Sequence, residues 1–437
     1  MSAQPTATKD SSRGEPFPPP LLILSASSVT LPRPMVTLQD VLDARERIRR
    51  DVDVTPCPRS WTFSDLCGSS VFFKLESLQR TGSFKERGAA NKLTLLSPDE
   101  RRRGVVAASA GNHASGVAYN AQRLGVKAVI VMPETTPLIK VAATKAYGAQ
   151  VVLSGTVFED AYQEARRLES EKGYVFVHAF DDDAIIAGQG TAALEILEQV
   201  PDVDVLIASV GGGGFLGGMA LVMKSLKPSV RVIGVEASAL AKMSAARKAG
   251  KPTLLPPATT LADGIAVKKA GERTFPLFER YVDEVVAVDD EEVANAILVL
   301  IEREKVIAEG AGAAPAAALL QRKIPGCALA SKVVCVISGG NIDVNLLSRI
   351  IERGLVKEGR RVVLKLRVPD RPGALAAILT TVATEKANVL EVHHDRAFVP
   401  GPVGDTEIEL TLETKGASHA EQLVSALTAK GYAVTRR

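Results

Sequence analysis

Four short segments hold the residue types able to do chemistry together. The first is Thr81-Gly82-Ser83-Phe84-Lys85-Glu86-Arg87-Gly88. A lysine among small residues at the start of a predicted helix is a candidate for Schiff-base chemistry. Burial and the helix N-terminus both depress an amine's pKa and so free its lone pair. The plain alternative is a surface lysine in a turn. The second is Ser109-Ala110-Gly111-Asn112-His113. It offers successive backbone amides at a helix start, suited to a carboxylate or phosphate, and Asn112 adds a side-chain amide. An ordinary helix cap and a structural histidine would read the same way. The third is Gly211-Gly212-Gly213-Gly214. Without side chains, such a loop lets the backbone wrap a phosphate at a helix N-terminus. It matches neither the dinucleotide GxGxxG pattern with its ribose-binding acid nor the P-loop ending, so the anion expected is a small cofactor's phosphate. A flexible turn is the alternative. The fourth is Ser338-Gly339-Gly340-Asn341. A hydroxyl at a strand's end can meet a ring nitrogen, and a simple turn is the alternative.

These segments must be positioned by something, and the flanking text supplies it. Val71–Leu75, Gly104–Ala108, Ala128–Val131, Gln150–Leu153, Val205–Val210, Val230–Val235 and Val333–Ile337 are short apolar runs separated by helical spacing. Such runs predict parallel strands buried on both faces, with ligands bound where strands end and loops begin. The Gly-rich segments lie at those ends. Thr37–Arg50 reads as an amphipathic helix capped by Thr37, and further helices are expected at 113–124 and from Pro137 to Tyr147.

Composition shifts at 351–361, where ERGLVKEGRR predicts a linker. Beyond it come a strand (Val362–Val368), a helix (Pro372–Lys386), two strands (Val389–Phe398, Thr406–Thr414), a helix (Ser418–Ala429) and a last strand (Tyr432–Thr435). This βαββαβ order is a ferredoxin-like split unit. The expected domains are therefore a Pro- and Ser-rich disordered tail over 1–34, with Met35 as an alternative start. A catalytic domain follows over 35–352, its smaller lobe roughly 100–175. A linker spans 353–361 and the last unit 362–437.

The chain has 437 residues, 46% of them hydrophobic and 24% charged, which excludes a largely disordered protein. Fifty-three basic against 50 acidic residues, and 4% aromatics, give no case for nucleic acid or a membrane surface. Cys57, Cys67, Cys327 and Cys335 form no CxxC pair, and with five histidines no zinc-type cluster can be drawn. Scattered cysteine fits a reducing cytoplasm.

Taken in order, the four segments resemble the fold type II pyridoxal-phosphate enzymes, in particular the threonine dehydratase and serine racemase family. The similarity runs from about Val36 to Leu355. It includes Asp181-Asp182-Asp183 through Thr191, Thr260 to Gly264, and Val306 to Gly312. The last unit resembles an ACT regulatory domain, with Asp370-Arg371-Pro372-Gly373 at its ligand loop and Pro372 in the first helical turn. The resemblance implies two parallel-sheet lobes and pyridoxal 5'-phosphate as cofactor. Lys85 would link to it as a Schiff base, with Phe84 packed against the ring. Asn112 would meet the phenolic oxygen, Gly211, Gly212, Gly213 and Gly214 the phosphate, and Ser338 the ring nitrogen. Ser109, Ala110, Gly111, Asn112 and His113 would hold the substrate carboxylate, with Glu309 near the ring. It further implies dehydration of L-threonine to 2-oxobutanoate and ammonia, and of L-serine to pyruvate. An amino-acid effector such as isoleucine or valine and a homodimer or homotetramer complete the expectation. Serine racemases carry a second serine where this chain has Ala110, so racemisation lacks its acid on that face. A non-catalytic amino-acid sensor is the other rival, and it leaves Lys85 without a purpose. Metal-binding members carry a carboxylate cluster; here Glu236 matches but Lys242 stands at the second position, so no metal is expected.

Overall fold

The computed structural model describes residues 1–2, 35–324, 326, 331–396 and 402–437. The tail expected over 1–34, Cys327 and Phe398 lie wholly or almost wholly outside them. In chain order the strands are β1 (Arg59–Ser60), β2 (Ser70–Leu75), β3 (Val105–Ala108), β4 (Ala128–Met132), β5 (Gln150–Leu153), β6 (Val175–Phe176), β7 (Val205–Ser209), β8 (Arg231–Ala237), β9 (Glu284–Val288), β10 (Lys332–Ile337), β11 (Arg361–Pro369), β12 (Asn388–Asp395), β13 (Asp405–Glu413) and β14 (Ala433–Arg436).

They form three sheets, ordered β1-β2-β10-β7-β8-β9, β5-β4-β3-β6 and β12-β13-β11-β14. The first is parallel except at β1, and the second is wholly parallel. Residues of β3, β4 and β7 are buried throughout, as continuous apolar strands between helical layers must be. The chain leaves the first sheet after β2, builds the second with β3–β6, and returns at β7. Leu206, Val334 and Met219 belong to one core cluster around the first sheet, and Ile207, Val333 and Ala313 to another. The second sheet packs Ala107, Ile130 and Val117 in a core of its own.

Thr37 caps the first helix, Leu38–Ile48, in a reciprocal capping box with Asp40. Strands β1 and β6, of two residues each, and β9 were not visible as sequence runs.

The third sheet is antiparallel, and its β11-helix-β12-β13-helix-β14 order is the βαββαβ unit read from the sequence. Leu364, Ile378, Leu410 and Leu423 lie at the centre of its separate core. Two details need correction. The segment 353–361 is not a free linker: helix Val344–Lys357 covers most of it and β11 starts at Arg361. Its polar composition is the solvent face of an amphipathic helix of which Ile350 is buried. Pro372 stands ahead of the helix Ala374–Thr384, not in its first turn, because Gly373 at φ +90° forms the cap and the Ala374 amide donates to the Arg371 carbonyl at 3.1 Å. Among the described residues no helix is long and apolar enough to cross a membrane.

Candidate active site

Strand order alone gathers the first, third and fourth segments. β10 lies between β2 and β7, so Ser338 emerges between the turn after β2, which leads to Lys85, and the glycine loop after β7. The Phe84 amide donates to the Ser338 carbonyl at 3.0 Å, and Ser83 bridges Gly339. The end of β3 brings Ser109–His113 from the smaller sheet. Together these line a cavity of about 880 Å³, within the usual size of a small-molecule site.

Lys85 opens helix Lys85–Thr94, and its Nζ donates to the Ala179 carbonyl at 2.7 Å. Desolvation lowers its pKa from 10.5 to about 8, against the opposing pull of Glu309. The helix is held two residues on. Buried Arg87 donates to Glu76 at 2.7 and 2.8 Å and to Glu195 at 2.6 and 2.8 Å, while buried Lys74 donates to Glu195 at 2.6 Å. Two cations face two anions, so the cluster is neutral and each charge is paired.

Helix Gly214–Leu226 begins at the glycine loop, with Gly213 at φ +99° as its cap. A Cβ on Gly212 would overlap the Phe180 ring, and one on Gly214 would lie 2.6 Å from the Phe180 carbonyl oxygen. The backbone is therefore bare by necessity, and a helix N-terminus opens into the cavity: a phosphate of a cofactor fits here. Phe84 stacks on Phe215 with ring centroids 3.8 Å apart. Buried Ser338 pairs its hydroxyl with that of Ser209 at 3.3 Å. Facing a ring nitrogen, a neutral hydroxyl would leave that nitrogen unprotonated.

Asn112 starts helix Asn112–Arg123. Its Nδ2 donates to Glu309 Oε1 at 2.7 Å, and its Oδ1 accepts from Asn341 Nδ2 at 2.8 Å. Glu309 is 5% exposed, and burial, helped by Asp263, raises its carboxyl from 4.5 to about 8. Ser109 Oγ accepts from the Gly111 amide at 3.2 Å, and Ala110 lines the cavity. The His113 ring makes a 2.9 Å bond with the Val177 carbonyl, and burial lowers its pKa to about 3. It is a neutral structural ring, and only its backbone belongs to the loop. The Asp370–Gly373 turn lies on the C-terminal sheet unit, where Arg396 Nε donates to Asp370 at 2.7 Å. Its residues do not line the cavity.

Sequence reading missed three participants. The Ala179 carbonyl carries no residue-type signal. Phe180 underlies the glycine loop, and Asn341 sits in the fourth segment without an assigned role. His178 could have drawn attention to this turn: its Nδ1 accepts the amides of Phe180 and Asp181 at 3.2 and 2.8 Å. Among the described residues no three His, Cys, Asp or Glu side chains gather as metal ligands.

The family model "Pyridoxal-phosphate dependent enzyme" matches residues 48–339. L-threonine ammonia-lyase of Thermotoga maritima is 50% identical over 401 residues, 92% of this chain and 99% of that protein. That alignment reaches well past residue 339, into the C-terminal unit. Among solved structures, maize serine racemase matches with TM-score 0.69 and 34% identity, over 74% of this chain and 99% of its own. Threonine deaminase isoform 2 of Solanum lycopersicum matches with TM-score 0.68 and 36% identity, over 72% and 87%.

Proposed function

The chain belongs to the pyridoxal-phosphate dependent enzyme family, and from that premise we propose that it is an L-threonine ammonia-lyase. It converts L-threonine to 2-oxobutanoate and ammonia, and L-serine to pyruvate. The observation that carries the reading is Lys85, an amine held near pKa 8 in the same cavity as the bare glycine loop. When bound, pyridoxal phosphate supplies the electron sink that makes the amino acid's Cα proton acidic.

The chain's own residues do the rest. Gly211–Gly214 and the helix they open receive the phosphate. Lys85 Nζ would hold the cofactor and, when free, would take the Cα proton as general base; a pKa near 8 leaves a share of it unprotonated at neutral pH. The Ser109–His113 amides receive the substrate carboxylate. Asn341 orients the Asn112 amide, and Glu309, protonated at neutral pH, adds no negative charge to that side of the cavity. Ser338 presents a neutral partner to the ring nitrogen, which favours prompt loss of the β-hydroxyl over transamination.

Racemisation is the second reading, supported by the maize neighbour, but Ala110 gives the opposite face no hydroxyl to return a proton. For the C-terminal βαββαβ unit we propose an ACT-like regulatory role, with isoleucine or valine received at Asp370, Arg371, Pro372 and Gly373. A homodimer or homotetramer in the cytoplasm completes the proposal. Assays of 2-oxo acid from L-threonine and L-serine, with and without isoleucine, valine and AMP, test it. Lys85→Ala should lose the cofactor's near-visible absorbance and all dehydration. A borohydride-reducible cofactor link surviving in that variant, or D-serine formed faster than pyruvate by the wild type, would overturn the reading.

A further inference from the structure

Lys242 is fully buried and takes no part in the chemistry above. It opens helix Lys242–Ala249, behind the glycine loop. Its Nζ donates to the carbonyl of Val210, the residue just ahead of Gly211, and to the Ile265 carbonyl at 3.1 Å. Buried Glu236, at the end of β8, lies 3.5 Å away. The Glu236 carboxylate is itself fixed: it accepts the Met243 and Ser244 amides at 2.7 and 3.0 Å and the Ser244 hydroxyl at 2.8 Å. Two carbonyl oxygens and a carboxylate around one positive centre are the donor set of a small-cation site, and here the lysine fills it.

The consequence lies in the peptide plane. In a planar trans peptide the carbonyl and the next amide point in opposite directions. No cis bond interrupts the described chain. Fixing the Val210 oxygen therefore fixes the Gly211 amide, aimed away from Lys242. Two positions on, the Gly212 oxygen accepts from the Thr274 hydroxyl at 2.5 Å and from the Gly271 amide at 3.2 Å, which fixes the Gly213 amide likewise. A glycine loop has no side chains to hold its own peptides, so the pins must come from outside it.

We infer that Lys242 is a positioning residue, a tethered cation that orients the Gly211 amide of the phosphate cradle and spares the protein an added metal or alkali cation there. The inference rests on the pyridoxal-phosphate reading and deepens it.

The test is cofactor affinity of the apoenzyme, titrated by pyridoxal-phosphate absorbance in tetramethylammonium buffer and again with 100 mM-scale ammonium, potassium or methylammonium. Wild-type affinity should be the same in every buffer within a factor of about two. Lys242→Ala should bind about tenfold or more weaker in tetramethylammonium and recover on adding a small cation that enters the vacancy. Lys242→Met, which fills the volume without charge, should stay weak in all of them. The role is overturned if Lys242→Ala or Lys242→Met binds as the wild type does without small cations. A wild type that itself gains affinity with ammonium or potassium overturns it too. Should Lys242→Ala not fold, the Lys242→Met and wild-type titrations still decide. If the wild type binds no cofactor at all, the functional reading has failed rather than the role of Lys242.

Discussion

At pH 7 a carboxyl group held near pKa 8 is a hydrogen-bond donor, and that changes what Glu309 can do beside Asn112. Its proton gives a sign that can be checked. The native apoenzyme keeps the proton that an unfolded chain gives up from about pH 4.5 upward. Stability attributable to Glu309 is therefore fullest below 4.5 and is lost as pH rises towards about 8. Glutamine has no proton to lose. The melting temperature of apo Glu309→Gln should accordingly exceed the wild type's by a margin that grows from pH 5 to pH 8. Lys85 titrates in both proteins, and without the pull of Glu309 it gives up its proton at lower pH in the variant, which widens the same margin towards pH 8. At pH 7 the variant, one neutral group for another, should keep dehydration within about tenfold. A margin independent of pH would mean an ionised Glu309 in the native state. The neighbouring loop carries a second test at this scale. Ala110 lines the cavity where a hydroxyl would face the substrate, so Ala110→Ser should raise the ratio of D-serine to pyruvate formed from L-serine, read by chiral chromatography. An unchanged ratio would remove Ala110 as the determinant.

At the scale of elements, the glycine loop separates conformational need from mere smallness. Gly213 holds φ +99°, and a Cβ there would stand 2.7 Å from the Met243 methyl. Gly211 has no positive φ, and its Cβ would meet nothing closer than 3.6 Å. Gly213→Ala should therefore weaken cofactor binding by about 5- to 150-fold, equivalent to about 1–3 kcal/mol of backbone strain. Gly211→Ala should bind within a few-fold of wild type in the same absorbance titration. Equal losses would show that the loop needs only small residues. The contrast also marks what a sequence can disclose. The loops after β3, β7 and β10 were legible because long buried runs announce their strands and glycine announces the turn. Ala179 was not, because a backbone carbonyl bears no signature and β6, of two residues, exists only through its pairing with β3. The end of helix Val344–Lys357 was misread for a related reason: its basic, polar face looks like a linker until the apolar stripe on the other side has something to pack against.

At the scale of the whole molecule, the C-terminal unit keeps its own core, drawn from residues 362–434, with none of the catalytic clusters' residues in it. Its junction with the rest is polar: Arg360 pairs with Glu302, and Arg361 with Glu352 at 3.7 Å, all partly exposed. Pairs of that kind contribute about 1 kcal/mol or less. Removing the unit should therefore leave the two parallel-sheet lobes folded, provided the cut spares the helix that packs on them. The place to cut is after Glu358, the cap of helix Val344–Lys357, because an earlier end would strip the last turn from a helix whose Ile350, Leu346 and Leu347 face the core. Glu302 lies on a π-helical turn, Leu300–Glu304, followed by Lys305 at φ +60°, and the chain reaches Glu309 five residues after the turn. A ligand that shifts the C-terminal unit thus has a short path to the active site, through the Arg360–Glu302 ion pair and then along the chain to Glu309, though it regulates only if it binds one state more tightly. Full-length enzyme should show threonine saturation kinetics that move with isoleucine or valine, and the truncated enzyme should keep its kcat within a few-fold while losing that response. If the truncated enzyme still responds, the effector binds elsewhere. If the full-length enzyme responds to no amino acid, the unit serves assembly, and its removal should then lower the mass measured by light scattering.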